Sequence, residues 1–307
     1  MTPDPPSTRA DRPGTRTDPP GTRTGRPGTR GTLSPDDLLP GRLVPDVGRY
    51  LDEYSARTAA ARRRRHRTLR YGSAEPELLD FFPVPGATRA PLVVFVHGGF
   101  WQESGRHQAA FAAAGFLDRG VAFAALGYGL APSYRLGEMA AMVRRAIRLL
   151  THVAPALGVD PARIHLAGSS AGAHLAAMAL LPGGAPLAGV TLLSGLYELE
   201  PLIGSPVDDA LALSVVEARE NSPLGKLPPV LPPVILARGE HEPAEFVRQH
   251  DAMAATLTAA GADVTDHVAA GRNHFDLPYD LTDPATPLGA AVAGQLESAG
   301  CKRTPLT

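Results

Sequence analysis

The stretch HLAGSSAGAHLA, residues 165–176, sets Ser170 at the centre of a Gly168-x-Ser170-x-Gly172 pattern. A serine hydroxyl attacks a carbonyl carbon only when a base takes its proton and amide donors receive the charge that builds on the oxygen. Small residues around such a serine permit a tight turn. The flanking RIHLAG reads as a buried strand and AGAHLAAMALL as a helix. A serine that only N-caps a helix is the plain alternative, and five common residue types also meet by chance. Chemistry at Ser170 therefore requires donors, a base and an acid elsewhere in the chain.

The donors are expected in FVHGGFW, Phe95 to Trp101, directly after the apolar run PLVVFV. Two glycines after a strand let the backbone turn its amides toward a developing oxyanion. Gly98 and Gly99 are the candidates, joined by the Ala171 amide at the start of the helix after Ser170; one such donor is worth roughly 3–4 kcal/mol in the transition state. His97 is expected to fix this turn with a ring hydrogen bond. Trp101, the single tryptophan, is expected as a pocket wall because of where it sits.

In hydrolases built around such an elbow the acid and then the histidine follow the serine in the chain. Five histidines lie downstream: His174, His241, His250, His267 and His274. His174 follows Ser170 on the same helix and faces the wrong way. His250 falls in a helical pattern and His267 in a strand. His274, in the loop AAGRNHFDLP after the final strand-like run, is the candidate base, with His241 its rival. The acid belongs after PVILARGE, where Glu240, Glu242 and Glu245 follow Gly239. A loop position excludes Glu245, and spacing leaves Glu240 and Glu242 open.

These residues need elements to hold them. Seven strand-like runs alternate with helix-like ones: ELLDFFPV, PLVVFVHGG, VAFAALGY, RIHLAGS, GVTLLSG, PPVILARGE and DVTDHVAAG. Several are almost continuously apolar, as when both sheet faces are covered. The pattern predicts an α/β fold, a doubly wound, mostly parallel sheet with helices on both faces, as one domain over residues 37–307. Chemistry then gathers at the carboxyl ends of the strands. A helix is expected within PDVGRYLDEYSARTAAARRRRHR, its Arg62–Arg67 run being a solvated helix end rather than an anion site. Residues 1–36 differ: PGTR repeats at Pro13, Pro20 and Pro27 with few large apolar residues, so this stretch is expected to be disordered, or else a basic tail for a partner.

The whole chain narrows the class. Its 307 residues suffice for one α/β domain or two small ones, and 44% hydrophobic with 20% charged residues is ordinary for a soluble globular protein. A formal charge of −1 argues against general binding to nucleic acid or anionic membrane. The lone cysteine, Cys301, cannot form an internal disulfide, which favours the cytoplasm, and its place near the end makes it a poor nucleophile. No run spans a bilayer, and a secretory signal is not expected.

HGGFWQ, GYGLAP, GSSAGAHLAAM, LLSGLYELEPL, NSP, EFVRQ and NHFD occur in the order found in kynurenine formamidases (arylformamidases), α/β-hydrolases with an HGG oxyanion motif. The chain resembles that family over about residues 48–282, with YSARTAAAR and YG also fitting. The resemblance implies Ser170 as nucleophile, His274 as base and Gly98 and Gly99 as oxyanion hole. It also implies Glu242 as the acid, three residues after the strand-ending glycine; the family usually has Asp there, and commonly His where this chain has Ser169. The implied reaction is hydrolysis of a small-molecule aryl formamide, N-formyl-L-kynurenine above all, through a formyl-enzyme and with no metal or organic cofactor. A carboxylesterase with the same groups is the alternative, and a binding protein on this fold a third. Tyr128, in GYGLAP, either borders the site or serves a structural turn. Arg106, Arg135 and Arg272 are unranked candidates for holding a substrate carboxylate.

Overall fold

Runs such as LVVFV and GVTLL lack polar alternation, so they fit only where both sheet faces are covered. The computed structural model, which describes residues 33–301, places them in one eight-stranded sheet. The strands are β1 (Arg67–Arg70), β2 (Leu78–Phe82), β3 (Ala90–Val96), β4 (Ala122–Leu126), β5 (Val159–Ser169), β6 (Gly189–Leu193), β7 (Val234–His241) and β8 (Val264–Asn273). Their spatial order is β1-β2-β4-β3-β5-β6-β7-β8. The first two run antiparallel to their neighbours, and β4 through β8 are parallel.

Alternate residues of β3 enter opposite layers. Leu92, Val94 and Val96 pack with Met139, Val143 and Ile147 of the helix Leu136–Val153 and with the helix Ala171–Ala179. Val93 and Phe95 pack on the other face with Phe111, Phe116 and Leu288. Helices therefore cover both faces, as the sequence predicts.

All seven expected strands form, and β1 is an eighth. The arginine run does not simply end a helix in solvent. Arg62 closes the helix Gly48–Arg62 and reaches the buried Asp80 carboxylate, while Arg67 opens β1. Thr68 of β1 adds a 2.8 Å hydrogen bond to Asp80, which stitches this edge strand to β2. Four consecutive arginines hid a strand whose partner is itself charged. The helix Pro287–Cys301, rich in Ala and Gly, also went unpredicted; its Leu288, Val292 and Leu296 are buried.

Residues 1–32 of the expected disordered tail lie outside the described residues. Its last residues differ from expectation: Pro35–Leu38 is a helical turn with a Ser34–Asp37 capping box. Leu38 is fully buried, worth about 2 kcal/mol, which anchors this turn on the domain.

Candidate active site

Ser170 stands between β5 and the helix Ala171–Ala179 with φ 56° and ψ −121°, a conformation L-residues seldom adopt. Its amide donates to Leu193 O at 2.8 Å on the neighbouring strand. The turn closes only because its neighbours lack side chains. A Cβ on Gly168 would lie 2.2 Å from Gly172 O, and one on Gly172 would lie 2.0 Å from Val96 O. The spacing of small residues is thus a packing requirement that aims the Ser170 side chain out of the strand.

Five strand ends converge here. Gly98 and Gly99 follow β3, Ser170 follows β5, Ser194 follows β6, Glu242 follows β7 and His274 follows β8. His274 Nδ1 lies 2.8 Å from Glu242 Oε2, both buried. A carboxylate only accepts, so Nδ1 is the donor of this pair. The other carboxylate oxygen, Oε1, accepts from the Ser194 hydroxyl and from the Gly239 amide at 3.4 Å. Phe246 meets the His274 ring edge-on, centroids 4.8 Å apart. The turn that carries the ring is tied by Asn273: its Oδ1 accepts from Phe275 N at 2.8 Å, and Asp276 Oδ1 accepts from Asn273 N at 2.7 Å.

The structure separates the candidates that spacing left open. Glu240 is exposed and accepts from Gly271 N at 2.7 Å, away from the imidazole. His241 is exposed at the end of β7. His250 bonds Asp266 at 2.8 Å, and His267 sits within β8. His174 is fully enclosed: Trp101 Nε1 donates to its Nδ1 at 3.1 Å, and its Nε2 donates to Asn221 O at 2.7 Å. Burial lowers the His174 pKa to about 4, so it stays neutral.

Ser170 and His274 line one cavity of about 350 Å³, with Gly98 and Gly99 on its wall. Among the described residues the N–H groups of Gly98, Gly99 and Ala171 have no acceptor in the protein. As expected, His97 holds this turn through a ring hydrogen bond, Nδ1 to Gly98 O at 2.9 Å; burial lowers its pKa to about 4. Trp101 departs from expectation. It is fully buried against His174 and does not line the cavity, because the chain turns it inward at φ 63°. Tyr128 is also absent from this wall. It stacks on His97 at 4.3 Å, gives its hydroxyl to His97 O at 2.9 Å, and lines a separate neighbouring groove.

Two features had no counterpart in the sequence reading. Ser194, with φ 46°, holds the Glu242 carboxylate from the end of β6; its place just after an apolar run in a parallel sheet is the signal that could have found it. The other is the N-terminal wall. Leu39, Pro40, Val47, Leu51 and Tyr54 line the cavity, so residues before the first strand close it. Tyr54 bonds the carbonyl of Phe275 beside His274, and burial raises its pKa well above the usual phenol range. The aromatic side chains Phe95, Phe100, Phe111 and Phe275 complete an apolar enclosure. Among the described residues no three His, Cys, Asp or Glu side chains cluster as metal ligands, and no helix is long and apolar enough to cross a membrane.

An elbow serine that shares a cavity with an imidazole oriented by a carboxylate can perform nucleophilic acyl transfer. Known proteins fit that chemistry. A kynurenine formamidase from Danio rerio is 30% identical over 229 residues, spanning 69% of this chain and 75% of that protein. The chain belongs to the kynurenine formamidase family. The BD-FAE family model also matches residues 79–186. Other members of the wider hydrolase group resemble it too. An isoprenylcysteine alpha-carbonyl methylesterase from Arabidopsis thaliana is 29% identical, over 71% of this chain and 58% of that one. The solved Pyrobaculum calidifontis esterase shares the fold, with a TM-score of 0.66 and 19% identity over 88% of this chain and 98% of its own. This kynurenine formamidase relative is a serine hydrolase of the α/β-hydrolase fold.

Proposed function

We propose that the protein hydrolyses aryl formamides, with N-formyl-L-kynurenine as substrate, and that Ser170, His274 and Glu242 carry the reaction. The observation that bears most weight is the cavity itself. It joins Ser170 and His274 inside an aromatic enclosure large enough for a substituted ring. Family membership supports the formamide as the scissile group.

The Ser170 hydroxyl oxygen attacks the formyl carbon while His274 Nε2 takes its proton. Glu242 holds the Nδ1 proton and stabilises the imidazolium. The amides of Gly98, Gly99 and Ala171 receive the oxyanion. As the C–N bond breaks, His274 returns the proton to the departing aryl amine. A water, deprotonated by His274, then attacks the formyl-enzyme and releases formate. The protein acts on a small molecule and needs no cofactor for these steps.

The methylesterase similarity favours a second reading, hydrolysis of small esters by the same groups. One assay separates them: purified protein with N-formyl-L-kynurenine and with p-nitrophenyl acetate, beside Ser170→Ala. The formamidase reading expects turnover of the formamide, abolished in the variant. Ester turnover without formamide turnover establishes the second reading instead.

A further inference from the structure

We propose that Arg106 reads the carboxylate of the substrate from a groove adjoining the reactive cavity, and so sets specificity for amino-acid-bearing substrates. The proposal rests on the formamidase reading and adds the substrate class that the reading needs. It begins with what the cavity lacks. Among the described residues no Lys or Arg lines it, and Glu103 is the carboxylate that does. An anionic group on the substrate has no counter-charge there and meets a like charge instead.

A second depression of about 390 Å³ lies alongside. Ser104 lines both spaces. Tyr128 lines the groove while its hydroxyl bonds the carbonyl of His97, which lines the cavity. The two spaces therefore share a wall at the oxyanion turn. Arg106 and His107 line the groove, as does Glu75.

The structure ranks the three candidate arginines. Arg272 is spent on Asp280 through two hydrogen bonds, Nε at 2.9 Å and Nη2 at 2.5 Å. Arg135 is held by Glu217 and by the carbonyls of Leu211 and Ala212, and it lines a different depression. Arg106 makes one hydrogen bond among the described residues, Nη1 to Asp80 Oδ1 at 2.7 Å. Asp80 is also served by Arg62 and the Thr68 hydroxyl. Nε and Nη2 of Arg106 thus have no protein acceptor among the described residues, on a side chain one-third exposed (33%) to the groove. A guanidinium pinned at one end and open at the other is suited to bidentate capture of a carboxylate. In kynurenine the amino-acid head hangs from the ring on a short flexible ketone chain. With the formyl carbon at Ser170, that head can cross the Ser104 sill.

The test uses two substrate pairs with the full-length protein. One is N-formyl-L-kynurenine and its methyl ester; the other is 4-acetoxyphenylpropanoate and its methyl ester. The wild type is expected to prefer the free acid of each pair in kcat/KM. Arg106→Ala and Arg106→Lys are expected to lose roughly 10- to 100-fold of that acid-to-ester ratio, through KM, the range for a hydrogen bond to a charged group. Ser133→Glu, at an exposed position on the groove, places a carboxylate there without touching Asp80, and is expected to cut the same ratio. Absence of any acid preference in the wild type overturns the proposal, as do variants that lower both members of a pair equally. If the formamides are not cleaved but the acetate pair behaves as stated, the formamide reading fails while the role of Arg106 stands.

Discussion

Glu242 and His274 are 32 positions apart in the chain and 2.8 Å apart in the fold. The carboxylate crosses from the end of β7 to the loop after β8 while its second oxygen stays on Ser194 and the Gly239 amide. Its two oxygens serve the two sides, Oε2 toward His274 and Oε1 toward Ser194 and Gly239. The imidazole is thereby oriented before substrate arrives.

Replacing Glu242 tests its proposed role as the acid. Glu242→Gln is expected to lower kcat about 10³- to 10⁴-fold, because the amide no longer favours the required tautomer or the imidazolium. Glu242→Asp is expected to cost roughly 10- to 100-fold, since a shortened side chain misplaces the ring. Glu240→Gln, which removes the charge of a side chain whose partner is the Gly271 amide, should leave kcat within about twofold. Steady-state kinetics on one substrate reads all three; a large loss in Glu240→Gln with little in Glu242→Gln reverses the assignment.

Ser194→Ala removes the hydroxyl that holds Glu242 Oε1. The expected effect is a fall in kcat of about 10-fold with KM little changed, matching one hydrogen bond to a charged group. An equal rise in KM would instead point to a distorted cavity.

Trp101→Phe is expected to act on stability. Without the indole N–H, the enclosed Nδ1 of His174 is left unpaired, at a cost of about 1–3 kcal/mol. Urea denaturation should show that loss while kcat/KM stays near wild type. Unchanged stability with a raised KM would restore Trp101 to the substrate wall.

Gly172→Ala puts a methyl group 2.0 Å from Val96 O. It is expected to destabilise the fold by about 3 kcal/mol or more, seen as lost soluble protein or a lowered Tm. Gly204→Ala, with φ +76° but nothing within 4 Å of the new methyl, should cost only about 1 kcal/mol.

Stability should fall as pH drops from about 6.5 toward 4. His97, His165 and His174 are each lowered to about 4 by burial. Between those values the unfolded chain binds protons that the folded chain refuses, so unfolding is favoured by acid. Each histidine contributes up to about 1.4 kcal/mol per pH unit within the window. Denaturation midpoints at pH 7, 6 and 5 check the slope; a flat profile would mean these rings are already charged when folded.

Local patterning carried much of the fold. LVVFV, GVTLL and the glycine-flanked Ser170 state their burial and their turn in adjacent residues, and the structure follows them. The arginine run did not, because β1 forms only where Thr68 and Arg62 meet Asp80 of another strand. Nor did the helix Pro287–Cys301, whose small residues carry weak periodicity until Leu288, Val292 and Leu296 find a sheet face.

Residue types over a few neighbouring positions were enough to read the elbow and the two glycines after β3. Tertiary packing turned Trp101 inward, brought Ser194 to Glu242 and made residues before the first strand wall the cavity, and it set Glu242 against the imidazole where spacing had left Glu240 and Glu242 open. Those outcomes depend on where separate strand ends and loops come to rest. Side-chain direction across such distances is set by packing and by burial of polar atoms, which no short stretch of chain encodes.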